Sequence, residues 1–172
     1  GFLYYAESTV PVLKDLSDSD ARFEYGLGDG YDIVQFRVAE GDDASCLNLN
    51  HILNPRILGV DPEKLSGRFS FVTASRELDG DRPWSTLDQE LEGGLVPAIA
   101  DETVIKWGLG MKVGDTLRYE DTSGNEMKLL LTGGLAPSIF QGSVIISQKQ
   151  FLERFPGSSG TEVFLVEGDV AD

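Results

Sequence analysis

The single histidine and the single cysteine are the side chains of this chain best suited to catalysis. They are close in sequence, at His51 and Cys46. A histidine can serve as general base for a serine or cysteine nucleophile, but the sequence around His51 has no Gly-x-Ser-x-Gly pattern. Two potential ligands are also too few for a zinc site. The sequence therefore predicts a buried free cysteine and a structural or surface role for the histidine, with a small hydrolase that uses His51 as an alternative.

Two groups of acidic residues have part of the spacing of known sites. The segment Asp121-Thr-Ser-Gly is similar to the Asp-Thr-Gly sequence of aspartic proteases, but it has an extra residue before the glycine and no second copy. The other group matches positions 1, 3, 7 and 12 of an EF-hand loop, at Asp79, Asp81, Ser85 and Glu90. Trp84 stands at position six, where that loop requires glycine. We predict a hairpin turn for the first group and an exposed acidic loop for the second.

The glycine run at residues 26–30 does not complete a nucleotide site. Its spacing differs from that of the dinucleotide-binding and P-loop patterns, and it precedes a strand pattern instead of following one. We therefore assign no catalytic, cofactor-binding or metal-binding residue, and we predict that the chain is not an enzyme and has no cofactor.

The composition is that of a globular domain with a strong negative charge. The 172 residues include 14 basic and 29 acidic ones, a formal net charge of -15, which argues against nucleic acid as a partner. One cysteine excludes an internal disulfide bond. The sequence contains no apolar run of about 18 residues, so we expect this segment itself to be soluble. Its start on the apolar run Phe2-Leu-Tyr-Tyr, with no initiator methionine, suggests a segment of a longer protein.

Alternating apolar patterns predict a mixed α+β fold. Strands are predicted over residues 2–9, 33–38, 57–60, 95–100, 113–119, 127–131, 144–146 and 161–166. Helices are predicted over residues 12–16, 20–25, 61–65, 84–91, 101–107 and 148–155. We predict a β-hairpin over residues 113–131, and we expect Gly133 and Gly134 to interrupt the regular structure after it.

Two joints between predicted elements have a clear physical reason. Asp101 is the expected N-cap of a helix whose apolar face carries Val104, Ile105 and Trp107. Gly114 and Asp115 predict a tight turn before a strand, because glycine tolerates positive φ and aspartate binds nearby backbone amides.

Four segments occur in a distinctive order along residues 33–166. They are Pro55-Arg-Ile-Leu-Gly-Val-Asp-Pro with Gly67-Arg-Phe, residues 97–117 with Lys112-Val-Gly-Asp, residues 129–134, and residues 140–155. In this order they resemble the extracytoplasmic (periplasmic core) domain of a MacB/FtsX-family ABC-transporter permease.

The resemblance implies a two-lobed domain on the extracytoplasmic face of the bacterial inner membrane, as part of a multi-pass membrane protein. A porter-like α/β lobe would comprise residues 1–82 and 136–172, and residues 83–135 would form a smaller inserted mixed lobe. Such a domain binds no nucleotide. It relays ATP-driven motion from a cytoplasmic ATPase subunit to an extracytoplasmic cargo or envelope partner, with a second permease copy completing a dimer.

One further interpretation of the sequence stays open beside the hydrolase. The chain could be a free-standing binding protein of the cell envelope, which predicts a leader or lipoprotein cysteine upstream and no second membrane segment. A permease domain of this kind would act through its surface. Phe140 and Trp84 are therefore candidate contacts with a partner if they are exposed, and core residues if they are buried.

Overall fold

The computed structural model has a mixed α+β fold in which one large sheet carries short helices on both faces. It describes residues 4–41, 54–121 and 124–168. The strands are β1 (Tyr4–Val12), β2 (Tyr31–Ala39), β3 (Arg56–Val60), β4 (Phe71–Ala74), β5 (Val96–Asp101), β6 (Thr116–Glu120), β7 (Glu126–Leu135), β8 (Ser143–Ser147) and β9 (Thr161–Gly168). The α-helices are α1 (Ser19–Glu24) and α2 (Gln148–Arg154). Short 3-10 segments span Pro62–Leu65, Pro83–Asp88 and Glu92–Gly94, and a π-helical turn spans Val104–Gly108. The predicted α+β class is confirmed.

The sheet mixes parallel and antiparallel pairs in the order β1-β9-β2-β3-β8-β5-β7-β4. The long strand β7 pairs with β6 along its first half and with β4 at its end. Pairs β3–β8 and β5–β7 are parallel, and the other pairs among the described strands are antiparallel. Strand β5 pairs with β8 through Ile99 and Ile145, so strands of segment 83–135 share a sheet with those that flank it.

Two apolar layers form on opposite faces of the sheet because strand side chains alternate in direction. The layer under the 3-10 segments Pro62–Leu65 and Pro83–Asp88 contains Val34, Phe36, Val38, Leu58, Val60, Leu65, Trp84, Leu87, Ile99, Leu135, Phe140, Ile145, Val163 and Leu165. The layer under α2 and the π-helical turn contains Ile57, Val96, Ala98, Ala100, Val104, Ile105, Leu117, Tyr119, Met127, Leu129, Leu131, Val144, Ile146 and Phe151.

The hairpin and its entry turn form as predicted. Strands β6 and β7 pair from Thr116 opposite Leu130 to Glu120 opposite Glu126. Gly114 has φ 98°, and Asp115 Oδ2 accepts a 3.0 Å hydrogen bond from the Lys112 amide. Glycine is favoured here because the left-handed region is costly for other residues.

The predicted helix over residues 12–16 is wrong. Strand β1 runs to Val12, which pairs with Thr161 of β9, and the first helix begins only at Ser19 with Asp18 as its cap. The register shifts between Glu7 and Val12, and Pro11 lies in this irregular part, where a missing backbone donor removes no ladder hydrogen bond. Pairing with a distant strand therefore overrides the local proline signal.

The predicted break at Gly133-Gly134 is also wrong, because β7 continues through both residues to Leu135. A Cβ at Gly134 would lie 2.2 Å from Thr73 Oγ1, and one at Gly133 would lie 2.9 Å from the Phe71 ring. The two glycines thus let β4 side chains pack closely on β7, which is a packing role and not a break.

Asp101 is not the predicted helix cap. It is fully buried at the end of β5, where its carboxylate accepts hydrogen bonds from the Ser138 amide (2.8 Å) and hydroxyl (2.6 Å). The π-helical turn begins at Val104, its N-cap residue is Thr103, and no side chain caps it. The strand continues through Asp101, which pairs with Leu135, so the carboxylate fixes the loop after β7 instead.

Trp107 lies outside the apolar face that was predicted for it. The turn closes by a 2.8 Å hydrogen bond from the Leu109 amide to the Val104 carbonyl, an i→i+5 spacing. Val104 and Ile105 are buried, whereas Trp107 is 70% exposed. Because a π-helical turn is wider than an α-helical one, it rotates Trp107 away from the sheet.

Replacing Asp101 with alanine should destabilise the fold by about 2–3 kcal/mol, because the Ser138 amide and hydroxyl lose a charged acceptor. Urea denaturation measures the loss. Asp81→Ala, at an exposed carboxylate, is the matched control and should change the free energy of unfolding by less than about 0.5 kcal/mol. Equal unfolding midpoints for Asp101→Ala and the unsubstituted protein would contradict the assigned role.

Candidate functional site

Helices leave one end of the sheet partly uncovered. The register places Arg37 of β2 opposite Gly59 of β3, and Gly59 faces Phe151 of α2. Alternation therefore puts Ile33, Gln35 and Arg37 on the α2 side of the sheet. Helix α2 packs on β3 and β8 and, less extensively, on β2. Among the described residues, the part of this face nearer β1 and β9 contacts the loop before α1, whose Leu16 packs on Ile33 and Phe164.

An apolar groove of about 640 Å³ occupies this uncovered face. A small cluster of Leu16, Ile33 and Phe164 forms its base, with Val12 and Val166 packed against it. The outer wall is formed by Tyr25 and Leu27 of the loop between α1 and β2 and by Tyr31 at the start of β2, all of them large and partly exposed.

Helix α1 is held beside the groove by capping and by one buried residue. Asp18 Oδ1 accepts a 3.1 Å hydrogen bond from the Asp20 amide, and Ala21 is buried. Phe23 on the same helix is 84% exposed, and Leu13 before the helix is 73% exposed. The fold therefore does not use these two apolar side chains for its own core.

The chain segment beside the groove is acidic. Residues 13–32 contain two basic side chains, Lys14 and Arg22, and six acidic ones, Asp15, Asp18, Asp20, Glu24, Asp29 and Asp32. All six acidic residues are exposed, but Asp32 lies on the opposite face of the sheet and pairs with Arg68. Lys14 pairs with Glu24, and Arg22 lies 3.8 Å from Asp29. The segment therefore keeps a net negative charge, which favours cationic groups near the groove.

A smaller polar pocket adjoins the groove and shares Val12 and Ile33 with it. Gln35 separates the two: its Oε1 accepts from the Leu16 amide (2.7 Å), and its Nε2 donates to the Lys14 carbonyl (3.1 Å) and to Thr161 Oγ1 (2.8 Å). This amide fixes the loop before α1 over the sheet. Arg37 and Lys64 line the polar pocket.

An ion-pair cluster ties the edge strand β1 to β3. Arg56 Nη1 lies 2.6 Å from Glu7 Oε1, and its Nη2 lies 3.2 Å from Glu40 Oε1. Tyr5 donates its hydroxyl hydrogen to Glu7. The hydrogen bond from Arg56 lowers the pKa of Glu7, and the hydrogen bond from Tyr5 contributes a smaller lowering. Burial, followed by the hydrogen bond to Glu7, raises the pKa of Tyr5 to about 12.

The acidic residues that the sequence analysis considered as candidate site residues have local structural roles. Asp79 Oδ1 accepts from the amides of Asp81 (2.9 Å) and Arg82 (3.0 Å). Asp121 Oδ1 accepts from the Asn125 amide (2.8 Å) at the end of the hairpin. Among residues 4–41, 54–121 and 124–168, no group of three or more His, Cys, Asp or Glu side chains could hold a metal ion.

The remaining candidates lie in the core or outside the described residues. Trp84 and Phe140 are both buried, so neither is a surface contact. Trp84 Nε1 donates to the Arg68 carbonyl (2.9 Å), and Phe140 packs on Phe36 with ring centroids 5.5 Å apart. His51 and Cys46 lie outside the described residues, so the hydrolase alternative stays a prediction.

Sequence reasoning missed the groove and the acidic segment beside it. The available signal was the dense alternation of apolar and acidic residues in segment 13–32, for which the sequence predicted helices over residues 12–16 and 20–25 and a loop over residues 26–30. Finding the groove also required the pairing of β9 between β1 and β2, because Phe164 and Val166 complete it from the far end of the sequence.

Comparison with known proteins found no relative. No protein-family model matches the sequence, and no curated protein matches it significantly. In the part of the chain that the structure describes, no helix is long and apolar enough to span a membrane.

Replacing Glu7 with glutamine should lower the free energy of unfolding near neutral pH by a fraction of a kcal/mol, because solvent screens this partly exposed pair. The pKa of Glu7 is lowered in the folded state, so its stabilisation is present above the unfolded pKa and is lost as the pH falls through the folded value. Urea denaturation over a pH series from neutral to acidic should show the two proteins converge.

Glu92→Gln, at an exposed glutamate, is the control for that series. A difference between Glu7→Gln and the unsubstituted protein that persists undiminished at acidic pH would contradict the ion-pair explanation.

Proposed function

We propose that this chain is the extracytoplasmic domain of a MacB/FtsX-type permease that relays ATP-driven motion to a protein outside the cytoplasmic membrane. The cytoplasmic ATPase subunit and a second permease copy would act through the rest of such a permease. In this proposal the domain is a binding and force-transmitting module, and it performs no chemistry itself.

The observation that carries the proposal is the pairing of the first and last described strands. Strands β1 and β9 are antiparallel neighbours, with Tyr4 opposite Val166 and Tyr5 opposite Leu165. The start of β1 and the end of β9 therefore lie side by side at one edge of the sheet. Two membrane helices joined to these strands would stand next to each other, and a relative movement of the helices would shear the β1–β9 pair.

The apolar groove is the proposed contact for the partner because it lies on the strands that would move. Phe164 and Val166 of β9 and Ala6 of β1 all line it. Its apolar floor and the acidic segment beside it fit one class of partner segment, an amphipathic helix with one apolar face and flanking basic residues. Movement of β1 against β9 would change the shape of this groove directly.

The two-lobe division belongs to the same proposal. A porter-like lobe of residues 1–82 and 136–172 would carry β1, β9, β2 and the groove, and residues 83–135 would form the inserted lobe with β5, β6 and β7. The Gly114-Asp115 turn supports the resemblance, since it has the conformation that its motif predicts.

The full-length reading frame should encode apolar helices of about 20 residues on both sides of this segment, and residue 66 should face the outside of the cell. A Ser66→Cys variant in a Cys46→Ser background places one thiol at an exposed position. In cells with an intact cytoplasmic membrane, a membrane-impermeant maleimide should label it.

Ser143→Cys, at a buried serine, is the matched control and should react only after the protein is unfolded. Labelling of residue 66 only after cell lysis would overturn the proposed location. A leader or lipoprotein cysteine without a second membrane helix would instead support a free-standing binding protein.

A synthetic amphipathic helix of about 18 residues built from leucine and lysine tests the groove. It should bind with an affinity that falls as salt rises, and Tyr25→Ser or Leu27→Ser, at two exposed residues that line the groove, should weaken binding by roughly fivefold or more through lost apolar contact. Isothermal titration calorimetry provides the dissociation constants.

Val72→Ser is the control for non-specific attraction, because Val72 is exposed on β4, at the other end of the sheet. It should leave the affinity unchanged. Equal weakening by all three substitutions, or equal binding of a peptide with glutamate in place of lysine, would contradict docking in the groove.

A further inference from the structure

Arg37 differs from the other partly buried arginines of this acidic protein. Arg22, Arg56 and Arg68 are each half-buried, and each forms an ion pair with at least one carboxylate. Arg37 is half-buried as well, yet it forms no ion pair with any carboxylate in the described ranges. Within the described ranges, Arg37 is therefore a desolvated cation without the carboxylate partner that Arg22, Arg56 and Arg68 each have.

The hydrogen bonds of Arg37 are also incomplete. Its Nη1 donates to the Gly160 carbonyl over a long 3.4 Å, and its Nε, like those of Arg22 and Arg56, is buried without a partner among the described residues. An arginine has five N–H donors in a planar fork, and a carboxylate fits two of them at once. Arg37 thus keeps donor capacity that a planar anion would use.

The pocket beside Arg37 has the size of a small polar ligand. Its volume is about 200 Å³, against about 640 Å³ for the apolar groove. Gln35 and Thr161 build its wall through their mutual hydrogen bond and their bonds to the Lys14 and Val12 carbonyls. Gln148, at the start of α2, and Ser17 complete the polar lining.

The charges around the pocket disfavour a ligand with more than one negative charge. Three cationic side chains line it, Lys14, Arg37 and Lys64, against two carboxylates, Asp15 and Asp61. Both carboxylates already accept backbone amides, Asp15 from Ser17 (2.8 Å) and Asp61 from Glu63 (3.1 Å). Lys14 is paired with Glu24, so Arg37 and Lys64 balance the two carboxylates. A dianion would meet more repulsion from these two carboxylates than a monoanion would.

The net charge of the whole protein does not prevent this binding. Exposed charges more than about 8 Å away are largely screened at physiological ionic strength. The partly buried guanidinium of Arg37 is screened much less, so within the pocket its charge acts more strongly than those of distant exposed carboxylates.

We propose that this pocket binds the carboxylate of a small polar monoanion, with Arg37 as its main contact and Lys64 as a second cation. Ser17 and Gln148 lie where they can bind an amide or hydroxyl group next to the carboxylate. A free acylated amino acid and the C-terminus of a peptide both offer this chemistry. The inference stands apart from the relay role, since it requires neither a membrane nor the apolar groove.

The test uses N-acetylglycine as the probe, its neutral amide N-acetylglycinamide, and inorganic phosphate. Binding is followed by ¹H–¹⁵N NMR, including the Arg37 Nε–Hε signal. N-acetylglycine should bind saturably and shift that signal, and the neutral amide should not. Arg37→Gln should weaken the affinity by at least about tenfold, and Arg37→Lys should weaken it less because charge is kept while the planar fork is lost.

Arg118→Gln, at an exposed arginine on β6, is the matched control and should leave the affinity unchanged. The thermal midpoint separates binding from folding: removal of an unpaired, partly buried cation should not lower it. An acetylated peptide with a free C-terminus identifies the source of the carboxylate, because it binds more tightly than N-acetylglycine only if the natural ligand is a chain end.

Three results would overturn the proposal. They are no saturable binding of N-acetylglycine up to roughly 10 mM, equal binding of phosphate and N-acetylglycine, and unchanged affinity in Arg37→Gln. None of them bears on the membrane location or on the groove, so the relay proposal is tested independently.

Discussion

Strand β9 is held between β1 and β2, and both surface sites of this protein depend on that pairing. Backbone pairing aligns Val166 with Tyr4 on one side and with Ile33 on the other. The same strand divides its side chains between two layers, since Val163 and Leu165 enter the main core while Phe164 and Val166 face the groove. Loss of this strand would remove the groove floor, the Gly160–Thr161 wall of the polar pocket and the anchor of β1.

The uncovered end of the sheet combines features that a purely structural surface would avoid. Exposed apolar side chains stand in an acidic segment, and the partly buried Arg37 lies nearby without a carboxylate partner in the described part of the chain. Elsewhere the protein neutralises such cations, as Arg56 does with Glu7 and Glu40 and as Arg68 does with Asp32 and Glu167. This contrast within one chain is the reason that both proposals place their sites at this end of the sheet.

Local patterns predicted much of the sheet and little of its surface. The hairpin of β6 and β7 and the Gly114-Asp115 turn follow from neighbouring residues, so the sequence was sufficient for them. Asp101 was misassigned because both a helix cap and a buried hydrogen-bond acceptor suit an aspartate, and only the position of Ser138, 37 residues later, distinguishes them. The glycines of β7 were misassigned for the same reason, since their close neighbour Phe71 lies on another strand.

The sequence by itself determined the α+β class, the excess of negative charge and the order of motifs behind the permease proposal, because composition and short-range periodicity carry that information. Only the tertiary structure decided which apolar residues stay exposed and which arginine lacks a counter-charge. Burial and ion pairing depend on contacts between residues far apart in the chain, such as Gln35 with Thr161. The resemblance therefore suggested a module that acts through its surfaces, and the packing of β1, β9 and β2 forms the groove and the polar pocket on which the two proposals rest.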